Sequence, residues 1–175
     1  MFRSRFFICL SLVLLATISR LIPHPANFSP ILAIALFSGA HFQNRRDALL
    51  VPILAWFISD IFLGFHSLQI VVYALAALMV MAGWLLKDKV SALKIAGSSI
   101  GGTIVFFLVT NFFVWATSGM YSFDFAGFIN CYAAAIPFFQ NSLAGTLVFS
   151  TALFGSMYLI EKYGVISKET VTVKA

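Results

Sequence analysis

Long apolar stretches almost free of charge, separated by short clusters of arginine and lysine, constrain this chain more than any other feature. Hydrocarbon admits a backbone only when its own hydrogen bonds are closed, and a helix needs about 20 apolar residues to cross it. Apolar runs fall at residues 6–22, 28–42, 48–65, 68–86, 95–116 and 142–160. They predict an all-α integral membrane protein with six transmembrane helices, in a single transmembrane domain over 1–175. The second run is the short one. At about 1.5 Å per residue it reaches some 22 Å of a roughly 30 Å core, so it crosses with little tilt or is re-entrant. Asn27 or Ser29 is placed to cap its first turn, where Pro30 lacks only an N–H that such a turn leaves unpaired.

Composition excludes a soluble domain: 61% of the 175 residues are hydrophobic and 10% charged, against about 45–50% and about 25% in soluble proteins. The net charge of +5 does not point to nucleic acid, because the basic residues are scattered in pairs between apolar runs and form no patch. Their distribution sets orientation. With six spans, Arg3, Arg5, Arg45, Arg46, Lys87, Lys89, Lys94, Lys162, Lys168 and Lys174 fall on one side and only Arg20 on the other. Cytoplasmic loops hold the excess of Lys and Arg, so both termini are expected in the cytoplasm, with a short cytoplasmic tail at 163–175. A cleaved signal peptide is the rival reading of residues 1–22, but Arg20 and Pro23 stand where a small-x-small site belongs. The outer segment 117–140 has Asp124 as its only charge, yet Phe123, Phe125, Phe128, Tyr132 and Phe138 make it too apolar for water. It is expected at the interface, or folded over the helix ends as a lid.

Asp60 is the most informative single residue. A carboxylate within a span costs about 2.5–3.5 kcal/mol on the insertion scale and must face protein or water. Trp56 and Gly64, four residues to either side, share its helical face. Two readings stay open: a ligand contact in a water-accessible pocket, or a structural ion pair with Arg20. Asn111 and Trp115 share a stripe on the fifth span, Tyr73 lies at a similar depth in the fourth with Gln69 one turn nearer the surface, and Asn141 begins the sixth. With Trp56, Asn27 and Tyr132, these polar and aromatic groups of the outer half form the expected substrate site, an outward-facing pocket.

Small residues mark close packing. Gly97 and Gly101, with Ser98 and Gly102 one step on, form a small-xxx-small face, as do Ala35 with Gly39, and Ser142, Thr146 and Ser150. His24, His41 and His66 show no metal-ligand spacing, and Cys9 and Cys131 build no disulfide framework. There is no glycine-rich phosphate loop and no Ser/His/Asp set. No metal, no cofactor and no catalytic residues are expected.

Arg20-Leu-Ile-Pro-His-Pro-Ala-Asn-Phe-Ser-Pro, Leu36-Phe37-Ser38-Gly39-Ala40, Ser59-Asp60, Asn111 with Val114-Trp115, and Ala135-Ile-Pro-Phe-Phe resemble a family of small uncharacterised bacterial membrane proteins. More distantly, the Asn-Phe-x-Pro opening, the Ser59 to Gly64 stretch and the N-in plan are similar to the S components of energy-coupling-factor (ECF) vitamin transporters. That resemblance implies a bacterial cytoplasmic (inner) membrane protein that binds a vitamin-like micronutrient. S components often dock to a coupling subunit through an Ala-xxx-Ala face on the first helix. Here the first span has none, and Ala35 with Gly39 is the nearest likeness, so an energy-coupling subunit and another membrane subunit are alternative partners besides the bilayer and a small-molecule ligand. The leading functional expectation is a substrate-binding membrane transport protein. The alternative is a structural or accessory subunit of a larger membrane complex, and a membrane enzyme stands third.

Overall fold

A computed structural model of the chain describes residues 2–87 and 89–164. The side chain of Arg3, Lys168, Lys174 and most of the 163–175 tail lie outside the described residues. The architecture is all-α: α1 (Phe2–Ile18) followed by one 3-10 turn (Ser19–Leu21), α2 (Ile31–His41), α3 (Arg45–Leu63), α4 (Gln69–Leu86), α5 (Ala92–Thr117) and α6 (Phe125–Lys162). By length and composition, α4, α5 and α6 suffice to cross a membrane.

The centre of the bundle is α2. All eleven of its residues are buried, and it packs against each of the other five helices. A helix apolar on every side must be enclosed by lipid or by protein. At about 1.5 Å per residue this one is too short to cross lipid, so protein encloses it. Where α2 crosses α4 the backbones touch. A Cβ on Gly39 would strike the Val80 carbonyl oxygen and come within 2.9 Å of the Gly83 Cα, and one on Gly83 would meet Leu36 and Gly39 in turn. Ala35 lies on the same buried face at 1% exposure. The Ala35/Gly39 pair is therefore an internal seam, closed to any docking subunit.

Gly97 and Gly101 form no seam within this chain. Both are exposed, and a Cβ on either meets nothing within 4 Å. Two residues further on, about 200° around the helix, Ser99 and Thr103 are fully buried instead. Gly102 is the glycine of α5 that faces a neighbour, the Met79 side chain. On α6 the small-residue stripe does point inward, with Thr146 and Ser150 each 1% exposed.

Element ends also shift from their expected places. The first run stops as an α-helix at Ile18, and Arg20 rides on the 3-10 turn beyond it. Neither Asn27 nor Ser29 caps α2. Pro30 is its N-cap, without a side-chain bond, and the Ile34 N–H donates to its carbonyl at 2.8 Å. Asn27 instead takes the left-handed conformation, φ 64°, which asparagine tolerates and which lets the Phe28 N–H reach the Pro25 carbonyl at 3.0 Å. Residues 125–140, expected as an interfacial or lid segment, are the first turns of α6 and run alongside α5. Asp124 caps that helix by accepting the Gly127 N–H at 2.7 Å. The 38 residues of α6 span about 57 Å, nearly twice a bilayer core of roughly 30 Å.

The up-and-down course brings the start of α1, the α2–α3 and α4–α5 junctions and the end of α6 together, here termed the basic end. Arg5 pairs with Glu161 at 2.8 Å, Lys87 Nζ donates to the Gln43 carbonyl at 3.0 Å, and Arg45 lies 5.4 Å over the Trp84 ring. Arg20 is at the opposite end.

Candidate functional site

At that opposite end, α3 and α4 and the 3-10 turn converge on Asp60. The carboxylate is 1% exposed. Its Oδ1 accepts from Arg20 Nη2 at 2.8 Å. Its Oδ2 accepts from the Tyr73 hydroxyl at 2.7 Å and from the Gln69 amide, which also donates to Tyr73 Oη at 2.7 Å. Arg20 donates to the Ser59 hydroxyl and stacks 3.6 Å over the Trp56 ring. Ser59 in turn donates to the Trp56 carbonyl at 2.7 Å. Three donors satisfy this carboxylate, and the guanidinium has a carboxylate, a hydroxyl and an aromatic face. Of the two readings left open for Asp60, the geometry is that of the ion pair: burying two charges costs several kcal/mol, and dense partnering of this kind offsets it.

The other expected site residues are elsewhere. Among the described residues α3 touches neither α5 nor α6, so Asp60 and Trp56 lie apart from Asn111, Trp115, Tyr132 and Asn141, while Tyr73 on α4 is bonded to Asp60. Asn111 Nδ2 donates within its own helix to the Phe107 carbonyl at 2.8 Å. Trp115 stacks on Phe123 at 4.5 Å and donates to the Ser122 carbonyl at 3.1 Å. Tyr132 packs on Phe128 at 4.6 Å and reaches across to the Leu108 carbonyl at 2.6 Å. These aromatics hold α5 and α6 together as a hairpin. Asn141 Nδ2 donates to the Ala26 carbonyl at 3.0 Å, tying α6 to the turn that contains Asn27.

A large cavity lies at the basic end, where no site was expected. It has a volume of about 920 Å³, within the roughly 300–1,000 Å³ typical of small-molecule sites. α5 and α6 form one side of it; α1, α2 and the α4–α5 connection form the other. Its wall combines apolar Ile95, Ala96, Leu147 and Phe154 with hydroxyls of Ser99, Ser150 and Thr151. None of the eight expected substrate-binding residues lines it.

Charged groups gather at its mouth. Arg5 joins Glu161 through Nη1 at 2.8 Å, and its Nη2 lies 3.3 Å from His41 Nδ1. A guanidinium has no acceptor, so Nδ1 accepts and the imidazole proton belongs to Nε2. The ring sits between Phe37 and Phe154, 4.6 and 5.2 Å away between centroids. Deeper in, the Ser99 and Ser150 hydroxyls bond to each other at 3.0 Å. Sequence reasoning passed over these residues because Arg5, Lys87 and Glu161 look like ordinary flanks of a span. The one signal pointing here was the Ser142, Thr146, Ser150 periodicity, which marks the α6 face that turns inward. Among the described residues no group of three His, Cys, Asp or Glu is placed to hold a metal ion.

The model of a family of unknown function, DUF6580, matches residues 1–168. No curated protein and no solved structure matches the chain.

Proposed function

The chain belongs to the DUF6580 family of unknown function, and we propose that this member is a bacterial inner-membrane transport protein whose small-molecule substrate occupies the cavity at the basic end. The observation that carries this reading is the cavity itself: about 920 Å³ of space among α1, α2, α5 and α6. Apolar walls with a few converging polar groups are what small-molecule sites use. The opposite end supports the reading by being closed. Arg20, Ser59, Asp60, Gln69 and Tyr73 tie the end of α1 to α3 and α4. A carrier open on one side and sealed on the other has this form. In this reading the chain passes through the bilayer six times, the second passage made by the protein-enclosed α2 together with the segment before it, and both termini are cytoplasmic. The cavity then opens inward, and the Arg20–Asp60 pair is the outer seal. The resemblance to S components suggests a vitamin-like micronutrient as cargo.

Gly155 provides the test. It lines the cavity, and a Cβ placed there meets nothing within 4 Å. Gly155→Leu should therefore fill space without strain, and it replaces a poor helix former by a good one. Mass spectrometry of small molecules retained by the protein in mild detergent should find a ligand on the wild type and lose it in Gly155→Leu. A ligand retained equally by both would place the site elsewhere. No ligand on either would favour the accessory-subunit reading.

A further inference from the structure

The charge and shape of the same cavity identify the class of molecule that fits it, an inference that rests on the transport reading above. The titratable groups at its mouth are Arg5, His41, Lys87, Glu161 and Tyr158. Arg5 and Glu161 neutralise each other at 2.8 Å. His41 accepts from Arg5 through Nδ1, which makes it the neutral tautomer. Lys87 remains. Its Nζ donates to the Gln43 carbonyl at 3.0 Å, and among the described residues no carboxylate pairs with it. Counted over the described residues, which do not include Asp88, the mouth carries one positive charge without a paired carboxylate. Ser91 and Ala92, at the start of the 26-residue α5, line the same wall and add the positive end of a helix dipole.

Away from the mouth the character changes. The α6 wall runs through Leu147, Ser150, Thr151, Phe154, Tyr158 and Glu161, and a stretch from 147 to 161 covers about 21 Å at 1.5 Å per residue. Beside it, Ile95 and Ala96 continue the apolar surface from α5. The two buried hydroxyls at depth, Ser99 and Ser150, already satisfy each other at 3.0 Å, so the inner cavity asks little of a ligand by way of hydrogen bonding. The space is long, apolar inside and singly positive at its opening.

We infer that the cavity takes an amphipathic monoanion: an elongated apolar body lying along α6, with a single carboxylate or phosphate head at Lys87. A free amphiphile and an anionic membrane lipid share that chemistry. The experiment uses the full-length protein in phosphatidylcholine nanodiscs, titrated with dansyl-undecanoic acid and with its methyl ester, followed by dansyl fluorescence after subtraction of empty nanodiscs. The acid should bind about tenfold more tightly than the ester, the ratio expected for one desolvated charge contact of about 1.4 kcal/mol. Lys87→Gln should remove that preference by weakening acid binding to the level of the ester, and Gly155→Leu should abolish binding of both. Weaker acid binding when phosphatidylglycerol is added to the nanodisc identifies lipid as the natural source, and unchanged binding identifies the free amphiphile. Equal affinity for acid and ester in the wild type would overturn the anion assignment and leave the cavity as a site. Unaltered binding of both probes by Gly155→Leu would remove the site, and the transport reading with it.

Discussion

Arg20 and Asp60 decide how the end of the molecule opposite the basic one holds together. Their side chains are 12% and 2% exposed, so neither charge has water as a ready alternative to the other. Asp60→Asn keeps an acceptor for the guanidinium but leaves it buried without a countercharge, and a loss of roughly 3–5 kcal/mol is expected in denaturant unfolding in detergent. Replacing Arg20 by Gln in the same chain should restore most of that loss. Losses that simply add would show that the two charges act separately. Asp124 makes a milder, pH-dependent contribution. It is fully exposed, and its carboxyl is held below the ordinary carboxylate range, first by the Gly127 N–H and then by the Ser122 hydroxyl. The folded pKa lies below the unfolded one, so its support is present above the unfolded value and is lost as pH falls through the folded value. Hydrogen exchange at the Gly127 amide, corrected for intrinsic rate, should rise over that acidic range in the wild type and stay flat in Asp124→Asn, which keeps a capping side chain. A flat wild-type profile contradicts the assignment. Asp60 was legible in the sequence as a residue needing a partner, and Arg20 was the one cation on its side. Its remaining partners were less legible, because whether Gln69 and Tyr73 face Asp60 depends on the rotation of α4 against α3.

At the scale of elements, packing is set by which face a helix turns inward, and small residues alone do not reveal it. Gly39 and Gly83 lie where backbones touch, so Gly39→Ala should cost about 1–3 kcal/mol and Gly39→Leu should prevent stable folding. Gly101→Leu, on an open face, should leave stability unchanged or slightly raised, since leucine favours helix over glycine by roughly 1 kcal/mol. Thermal unfolding in detergent compares the three; a large loss for Gly101→Leu would mean that this face is covered. Periodicity identified both glycine-containing faces, Ala35/Gly39 and Gly97/Gly101, with equal strength. Only the arrangement of the bundle tells them apart, because α2 is surrounded and α5 is not. The start of α6 was obscured for a similar reason. Gln140, Asn141 and Ser142 interrupt the apolar run and look like a span boundary. Polar side chains do not break a helix, however, and Asn141 spends its amide on the Ala26 carbonyl.

At the scale of the whole molecule, the helical class and the gathering of basic groups at one end followed from hydropathy and charge. The cavity did not. It exists because the α5–α6 hairpin stands off from α1, α2 and the α4–α5 connection at the basic end, a property of helix inclination that no local pattern encodes. The central claim is that this space opens at the basic end and is sealed from the other side. Thr151 lines the cavity, while the native thiols Cys9 and Cys131 are buried and can be replaced by alanine. A single cysteine at position 151 should react with a membrane-impermeant maleimide in inverted membrane vesicles and remain unlabelled in intact cells, and adding Gly155→Leu should suppress the reaction. Labelling of position 151 from the outside of intact cells, or equally from both sides, would contradict the account.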